Sequence, residues 1–194
     1  MSLVRKFSVV ISGWPAVGKT TIASKLGEEF NLKMYNGGDI LKLLASESGY
    51  STERDDWWDT VQAKKFMAQR KTDPSFDKRV DKKLGEIVKK GGAVITSYTL
   101  PWLVTDNSII KLWLRGSQEN RAKRMANRDN ISFSDAKKIV KQRDEENGRI
   151  YFKLYKFRFG EDLTVFDYLL NTDKLPLDSL IEVSKLIVRR QTGR

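Results

Sequence analysis

The residues whose spacing suits them for chemistry lie close to the N-terminus. Gly13, Trp14, Pro15, Ala16, Val17, Gly18, Lys19 and Thr20 satisfy G-x-x-x-x-G-K-[ST], the pattern of a loop that wraps its amides round a phosphate. Glycines permit backbone conformations that a Cβ would obstruct, so successive N–H groups can converge on an anion. The helix that follows, entered through Lys19, Thr20 and Thr21, points its positive end at the same charge. Lys19 reaches the outer phosphates, and the Thr20 hydroxyl can ligate Mg²⁺. A chance glycine turn before a lysine would not also need an apolar run in front and a helical pattern behind. Both are present, as Val9, Val10 and Ile11 and as Ile22, Ala23, Leu26 and Phe30.

Arginines form the second chemical set. Arg121, Arg124 and Arg128 stand at i, i+3 and i+7 and so share one helical face. Arg143 comes late in the next helical pattern, and Arg149 is expected just beyond its end. A transferring phosphoryl group carries charge spread over its oxygens, which planar guanidinium groups stabilise. The spacing predicts a helix–loop–helix flap whose five arginines close over the phosphates and exclude water. Some of them are expected instead to pair with acids such as Asp144 and Glu145. A third place for an anion is Asn36, Gly37, Gly38 and Asp39, where a short strand meets a helix start and Lys42 follows one turn on. A plain strand-to-helix turn explains those glycines equally well.

Composition narrows the chemistry. The 194 residues suit one domain with a real core. There is no cysteine and no histidine, which removes disulfides, thiolate metal sites and the usual general base. Lysine, arginine, carboxylates and Mg²⁺ remain, a set sufficient for phosphoryl transfer. The net charge is +11, and residues 111–158 hold 14 basic against 6 acidic side chains. That excess suits a polyanionic partner such as a nucleotide. No apolar run approaches the ~18 residues of a membrane span. The first six residues are too short for a signal peptide, so a cytoplasmic monomer without a membrane partner is expected.

These groups need elements to position them. Strands are expected at residues 7–11, 32–35, 93–97, 109–114 and 166–170, alternating with helices, which argues a parallel sheet covered on both faces. A helix from residue 40 to 48 follows the Asn36–Asp39 turn. Residues 37–90 carry no strong strand pattern and read as a helical insertion. Within them, Thr52 with Asp55 suits a capping box, and Trp57 and Trp58 read as core packing rather than a base-stacking platform. Phe76, Val80, Leu84, Ile87 and Val88 mark a helix that ends at Gly91 and Gly92. Ser117 caps a helix to residue 127, and Ser132 opens another to about residue 147. Aromatic and apolar side chains from Tyr151 to Phe159 follow, and a last helix runs from Pro176 to about residue 190.

These residues together resemble the nucleoside monophosphate kinases, and most closely the archaeal-type cytidylate kinases, nearly end to end. Asn36-Gly37-Gly38-Asp39-Ile40-Leu41-Lys42 is similar to the segment that enters that family's monophosphate site. Thr72-Asp73-Pro74-Ser75-Phe76-Asp77 is similar to its D-P-x-x-D segment. Residues 121–128 resemble its R-A-x-R-I-A-x-R helix before the lid, and residues 163–172 its last strand and the turn near the ATP base. The resemblance implies a single P-loop kinase domain of α/β/α layers. Its core would be residues 4–36, 91–128 and 163–194, with a monophosphate-binding insertion at 37–90 and a lid at 129–162. It implies transfer of the ATP γ-phosphate to CMP or dCMP, with ATP and Mg²⁺ as cofactors. Residues 13–21 and Arg121 would hold the donor, and Lys19, Arg124, Arg128, Arg143 and Arg149 the transferring group. Asn36, Gly38, Asp39, Lys42 and Tyr98 would hold the acceptor, and Thr20 the metal.

The chain also departs from that pattern. Where the family has V-L-E-G-R after the third strand, this chain has Val94-Ile95-Thr96-Ser97-Tyr98, without the acid or the arginine. Lys42 replaces an arginine, and Ile150 precedes Tyr151 where an arginine is usual. Two alternatives therefore stay open: another small-molecule or nucleotide kinase on the same scaffold, and a catalytically weak ATP- or RNA-binding protein. Nucleic acid is not the expected partner.

Overall fold

A computed structural model describes residues 7–52, 60–73 and 75–193. The capping box at Thr52 and Asp55 and the packing of Trp57 and Trp58 fall outside the described residues. Five parallel strands form one sheet in the order β2-β3-β1-β4-β5. They are β1 (Ser8–Gly13), β2 (Lys33–Asn36), β3 (Ala93–Thr96), β4 (Ile109–Arg115) and β5 (Tyr168–Asn171). Every residue of β1 is buried, because it is central and both of its faces are covered. Val10 pairs with Ile95 on one side and with Lys111 on the other. The chain moves to opposite sides of β1 after β1 and after β3. The C-terminal ends of those two strands therefore border a crevice, where open α/β sheets bind ligands.

Alternation along β1 divides the core. Val9 and Ile11 face α1 (Lys19–Phe30) and α8 (Leu177–Thr192), packing with Ile22, Leu26, Leu180 and Val188. Val10 faces the opposite way, towards α2 (Gly37–Glu47), α3 (Val61–Thr72), α4 (Ser75–Lys90) and the short α5 (Leu100–Leu103). On α4, Phe76, Val80, Leu84 and Val88 are buried at four-residue spacing. The expected Asn36–Asp39 turn is instead the first turn of α2. The Asn36 side chain accepts from the Asp39 N–H at 3.0 Å, and Asp39 Oδ2 accepts from the Asn36 N–H at 3.1 Å. That reciprocal cap supplies partners for helix-end amides and moves the helix start back to Gly37.

The two helices of the arginine flap are α6 (Gln118–Asp129) and α7 (Phe133–Tyr155). α7 does not stop near residue 147. It runs through Asn147 and Gly148, so Arg149 is helical. Ala136, Val140, Asp144, Asn147, Tyr151 and Tyr155 form one inward stripe at three- and four-residue spacing. Its polar middle disguised the helix in sequence. In the fold, Asp144 meets a buried arginine and Asn147 lines a cavity. Strand β5 starts at Tyr168, two residues later than expected, because Phe166 turns into an aromatic cluster with Trp113, Tyr151 and Phe159. Among the described residues, no helix is long and apolar enough to cross a membrane.

The sharp exit from β1 depends on Gly13. Its φ is 143°, and a Cβ there would stand 2.3 Å from the Leu114 carbonyl oxygen of the neighbouring strand. The strand and the loop cannot both keep their courses with a side chain at this point. Gly13→Ala is expected to lose more than about 2 kcal/mol of unfolding free energy. Urea denaturation followed by circular dichroism checks this.

Candidate active site

Two cavities open at the C-terminal edge of the sheet. The first, about 1140 Å³, is lined by residues 15–21 of the phosphate-binding loop, by Arg124 and Arg128 of α6, by Arg143 of α7, and by the turn after β5 at Thr172 and Asp173. The second, about 500 Å³, is lined by Asn36, Gly37 and Gly38, by Asp77 and Asp81 of α4, by residues 96–99 after β3, and by Asn147 and Tyr151 of α7. Lys19, Thr20 and Tyr98 line both. The two spaces therefore adjoin at the residues with the best chemistry for phosphate.

The loop curls round the Lys19 side chain. Its ammonium donates to the carbonyls of Gly13 at 2.7 Å and Trp14 at 2.9 Å. It also lies 4.5 Å from the centre of the Tyr98 ring. Carbonyls and a ring face can hold a cation where no anion is present. Even so, burial pushes the Lys19 ammonium down to about 7, with repulsion from Arg121 adding to the drop and Asp144 opposing it. Tyr98 is itself fixed on several sides. The Ser12 hydroxyl donates to its carbonyl at 3.0 Å, Tyr151 stacks on its ring at 5.9 Å, and Phe159 meets its edge. Burial raises the Tyr98 phenol. Trp14 completes this aromatic wall, edge-on to Phe159 at 4.6 Å. Its indole covers Gly160 so closely that a Cβ there would lie 2.7 Å from the ring.

The arginines do not act as one face. Arg124 donates to the Thr172 hydroxyl at 2.9 Å and the Thr172 carbonyl at 2.6 Å, so it spans from α6 to the turn after β5. Arg128, more than half exposed, pairs with Asp129 at 2.6 Å, which pushes its guanidinium up. Arg143 is exposed and borders the first cavity. Arg149 is exposed and lines neither cavity. Arg121 lines neither cavity. It is 2% exposed and forms a two-pronged pair with Asp144, its Nη1 and Nη2 at 2.8 and 2.6 Å. Helical spacing put Arg121, Arg124 and Arg128 together. The depth of the α6–α7 seam separates them, because a buried acid faces only the first.

Of the residues expected to hold an acceptor, Asn36, Gly38 and Tyr98 line the second cavity while Asp39 and Lys42 do not. The Asp39 carboxylate is engaged in the α2 cap. The main feature that sequence reasoning missed is Asp81. It is 9% exposed and accepts from the Thr99 hydroxyl at 2.5 Å and from the Tyr155 hydroxyl. Burial and this bond to Asp81 raise the Tyr155 phenol. A carboxylate thus enters the second cavity from α4, although the residues after β3 supply none. Asp81 follows Val80 and precedes Leu84 within the apolar stripe of α4, and that misplaced charge was the signal available. Asp173 was likewise missed as a wall of the first cavity, beside Thr172 in the turn that the resemblance placed near the ATP base.

Thr20, which lines both cavities, suits Mg²⁺, an ion that keeps waters and needs few protein ligands. Among the described residues, no group of three or more acids could hold a metal by itself.

A parallel sheet of order 2-3-1-4-5, with a phosphate-binding loop leaving its central strand between two adjoining cavities, defines a P-loop kinase fold. The fold is shared with shikimate kinase from Bacteroides thetaiotaomicron, at a TM-score of 0.57 and 16% identity over 97% of this chain and 99% of that one. Residues 8–174 match the model of the cytidylate kinase-like family, and the chain belongs to that family. It is 34% identical over 176 residues to a cytidylate kinase of Pyrobaculum islandicum, covering 91% of this chain and 89% of that one. A cytidylate kinase of Sulfurisphaera tokodaii is also 34% identical, over 182 residues and 92% of each chain.

The depressed Lys19 has a measurable consequence in the nucleotide-free, metal-free protein. Its folded pKa lies near 7 and its unfolded value near ~10.4. Between those values the unfolded chain binds more protons, so this group makes stability rise with pH across that window. Lys19→Met carries no charge at any pH. It is expected to be more stable than wild type at pH 7 and to converge on it by about pH 10, as measured by denaturant titration at each pH.

Proposed function

We propose that this protein is an ATP-dependent cytidylate kinase, moving the ATP γ-phosphoryl group to CMP or dCMP and releasing ADP. The observation that carries this reading is that Lys19, Thr20 and Tyr98 border both cavities. A donor in the larger space and an acceptor in the smaller one would bring their phosphates to a single point. Membership of the cytidylate kinase-like family supports the choice of acceptor.

In this reaction the backbone N–H groups of residues 16–20 receive the donor phosphates, and Lys19 exchanges the carbonyls of Gly13 and Trp14 for phosphate oxygens. Arg124, Arg128 and Arg143, which border the same space, neutralise charge that develops on the transferring group. An oxygen of the acceptor phosphate bonds to the γ-phosphorus as the bond to the β-phosphate oxygen breaks. That acceptor is already an anion, so no carboxylate base is required. Asn36, Gly38 and the α2 N-terminus receive the acceptor phosphate, and Asp81 and Tyr151 line the space beyond. The Thr20 hydroxyl would hold Mg²⁺, which when bound would offset charge on the donor phosphates. Arg149, Asp39 and Lys42 line neither cavity and take no part in this arrangement.

A coupled ADP-release assay across CMP, dCMP, UMP, AMP and GMP tests the proposal. CMP and dCMP should lead the others in kcat/KM. Comparable turnover of AMP or GMP, or none with any acceptor, would sink it. Lys19→Ala should lower kcat by roughly 10³-fold or more with the far-UV spectrum unchanged, and wild-type rates in that variant would remove Lys19 from its role.

A further inference from the structure

We propose that Arg121 and Asp144 are a positioning pair. They do not touch nucleotide, but hold the Pro15–Ala16 peptide with its N–H turned into the donor cavity. Arg121 Nη1 donates to the Pro15 carbonyl at 3.2 Å, and Nε donates to the Gly116 carbonyl at 3.1 Å. The remaining bonds, from Nη1 and Nη2, go to the two oxygens of Asp144. Four of the five guanidinium donors are thereby in use. The two side chains are only 3% and 11% exposed, and Gln118 adds a bond to Asp144 at 3.0 Å. Such a group has little left to offer a phosphate.

What it does offer is control of one peptide. A peptide unit is planar and trans, so its C=O and N–H point in opposite directions. Tying the Pro15 carbonyl to Arg121 at the back of the loop therefore turns the Ala16 N–H towards the cavity that Ala16 lines. Ala16 needs the help, because its φ of 62° is a left-handed conformation that a residue with a Cβ rarely adopts. Packing of Ala16 against the α6–α7 cluster of Ala122, Met125, Ala136 and Val140 holds it from the same side. Asp144 neutralises the guanidinium and fixes its plane. Since Asp144 sits in the middle of α7, the flap helix and the phosphate-binding loop share one anchor.

The inference rests on the donor-cavity reading, and the test separates the two. MgATP and CMP affinities are measured by titration calorimetry for wild type, Arg121→Met, Asp144→Asn and the double variant Arg121→Met/Asp144→Leu. If wild type fails to bind MgATP, the donor reading falls whatever the variants do. If wild type binds, both single variants should weaken MgATP by roughly 10- to 100-fold and leave CMP within about twofold. The double variant removes the buried charges together, so its melting temperature should return towards wild type. Its MgATP affinity should stay as weak as that of the singles, because the Pro15 carbonyl still lacks its donor. Recovery of MgATP affinity in the double variant would reduce the pair to packing and overturn the proposal. Asp144→Asn binding MgATP more tightly, with Arg121→Met binding it weakly, would make Arg121 a nucleotide contact and overturn it equally.

Discussion

Repulsion among buried and half-buried cations is the constraint on which this architecture depends. A site for a polyphosphate must gather positive groups, yet the unliganded protein has to fold without the phosphate. Here four of these cations are matched locally. Lys19 turns back onto two carbonyls and the Tyr98 ring, Arg121 takes Asp144, Arg124 takes the Thr172 carbonyl and hydroxyl, and Arg128 takes Asp129. These partners differ in strength. A two-pronged pair in a dry seam is hard to open, because removing either partner leaves a buried charge alone. A carbonyl or an exposed aspartate is readily exchanged for a phosphate oxygen. That difference separates a framework arginine from those that border the first cavity, and burial sets it.

The aromatic cluster serves the same end from the other direction. Trp14, Tyr98, Trp113, Tyr151, Phe159 and Phe166 converge where the phosphate-binding loop, the loop after β3 and the end of α7 meet. Trp102 stacks flat on Phe157 at 4.5 Å and donates to the Asp162 carbonyl. The segment after α7 is therefore bound to the sheet rather than left as a loop. A dry wall beside Lys19 lowers the local dielectric and strengthens every charge contact made there. It also explains the cost visible in the lowered ammonium. The same burial that sharpens the site works against the free protein.

Much of this was legible in the residues. The phosphate-binding loop, the strand before it and the helix after it follow from one octet in its context, since local sterics and hydrogen bonding dictate them. The five-stranded parallel sheet followed from apolar runs alternating with helical patterns. Legibility failed where a partner far along the chain decided the outcome. The expected end of α7 near Asn147 follows from a stripe that turns polar there, and it is Arg121 and the second cavity that make those polar groups welcome. Asp81 is a single charge within the apolar stripe of α4, and the residues that meet it, Thr99 and Tyr155, lie far along the chain. Asp39, expected near the acceptor, was claimed instead by the cap it forms with Asn36.

By itself the sequence determined that an anion would be held just past the first strand, because the glycine spacing, the lysine and the helix start act over a few residues. It also determined the covered parallel sheet, because periodicity is a local property. Tertiary structure alone decided which arginines border the first cavity, which acids line the second, and how far the flap helix extends. Those outcomes depend on burial and on pairing between residues as far apart as Asp81 and Tyr155, or Pro15 and Arg121. No spacing rule reaches across such separations, since the energies that settle them exist only once the chain has closed on itself.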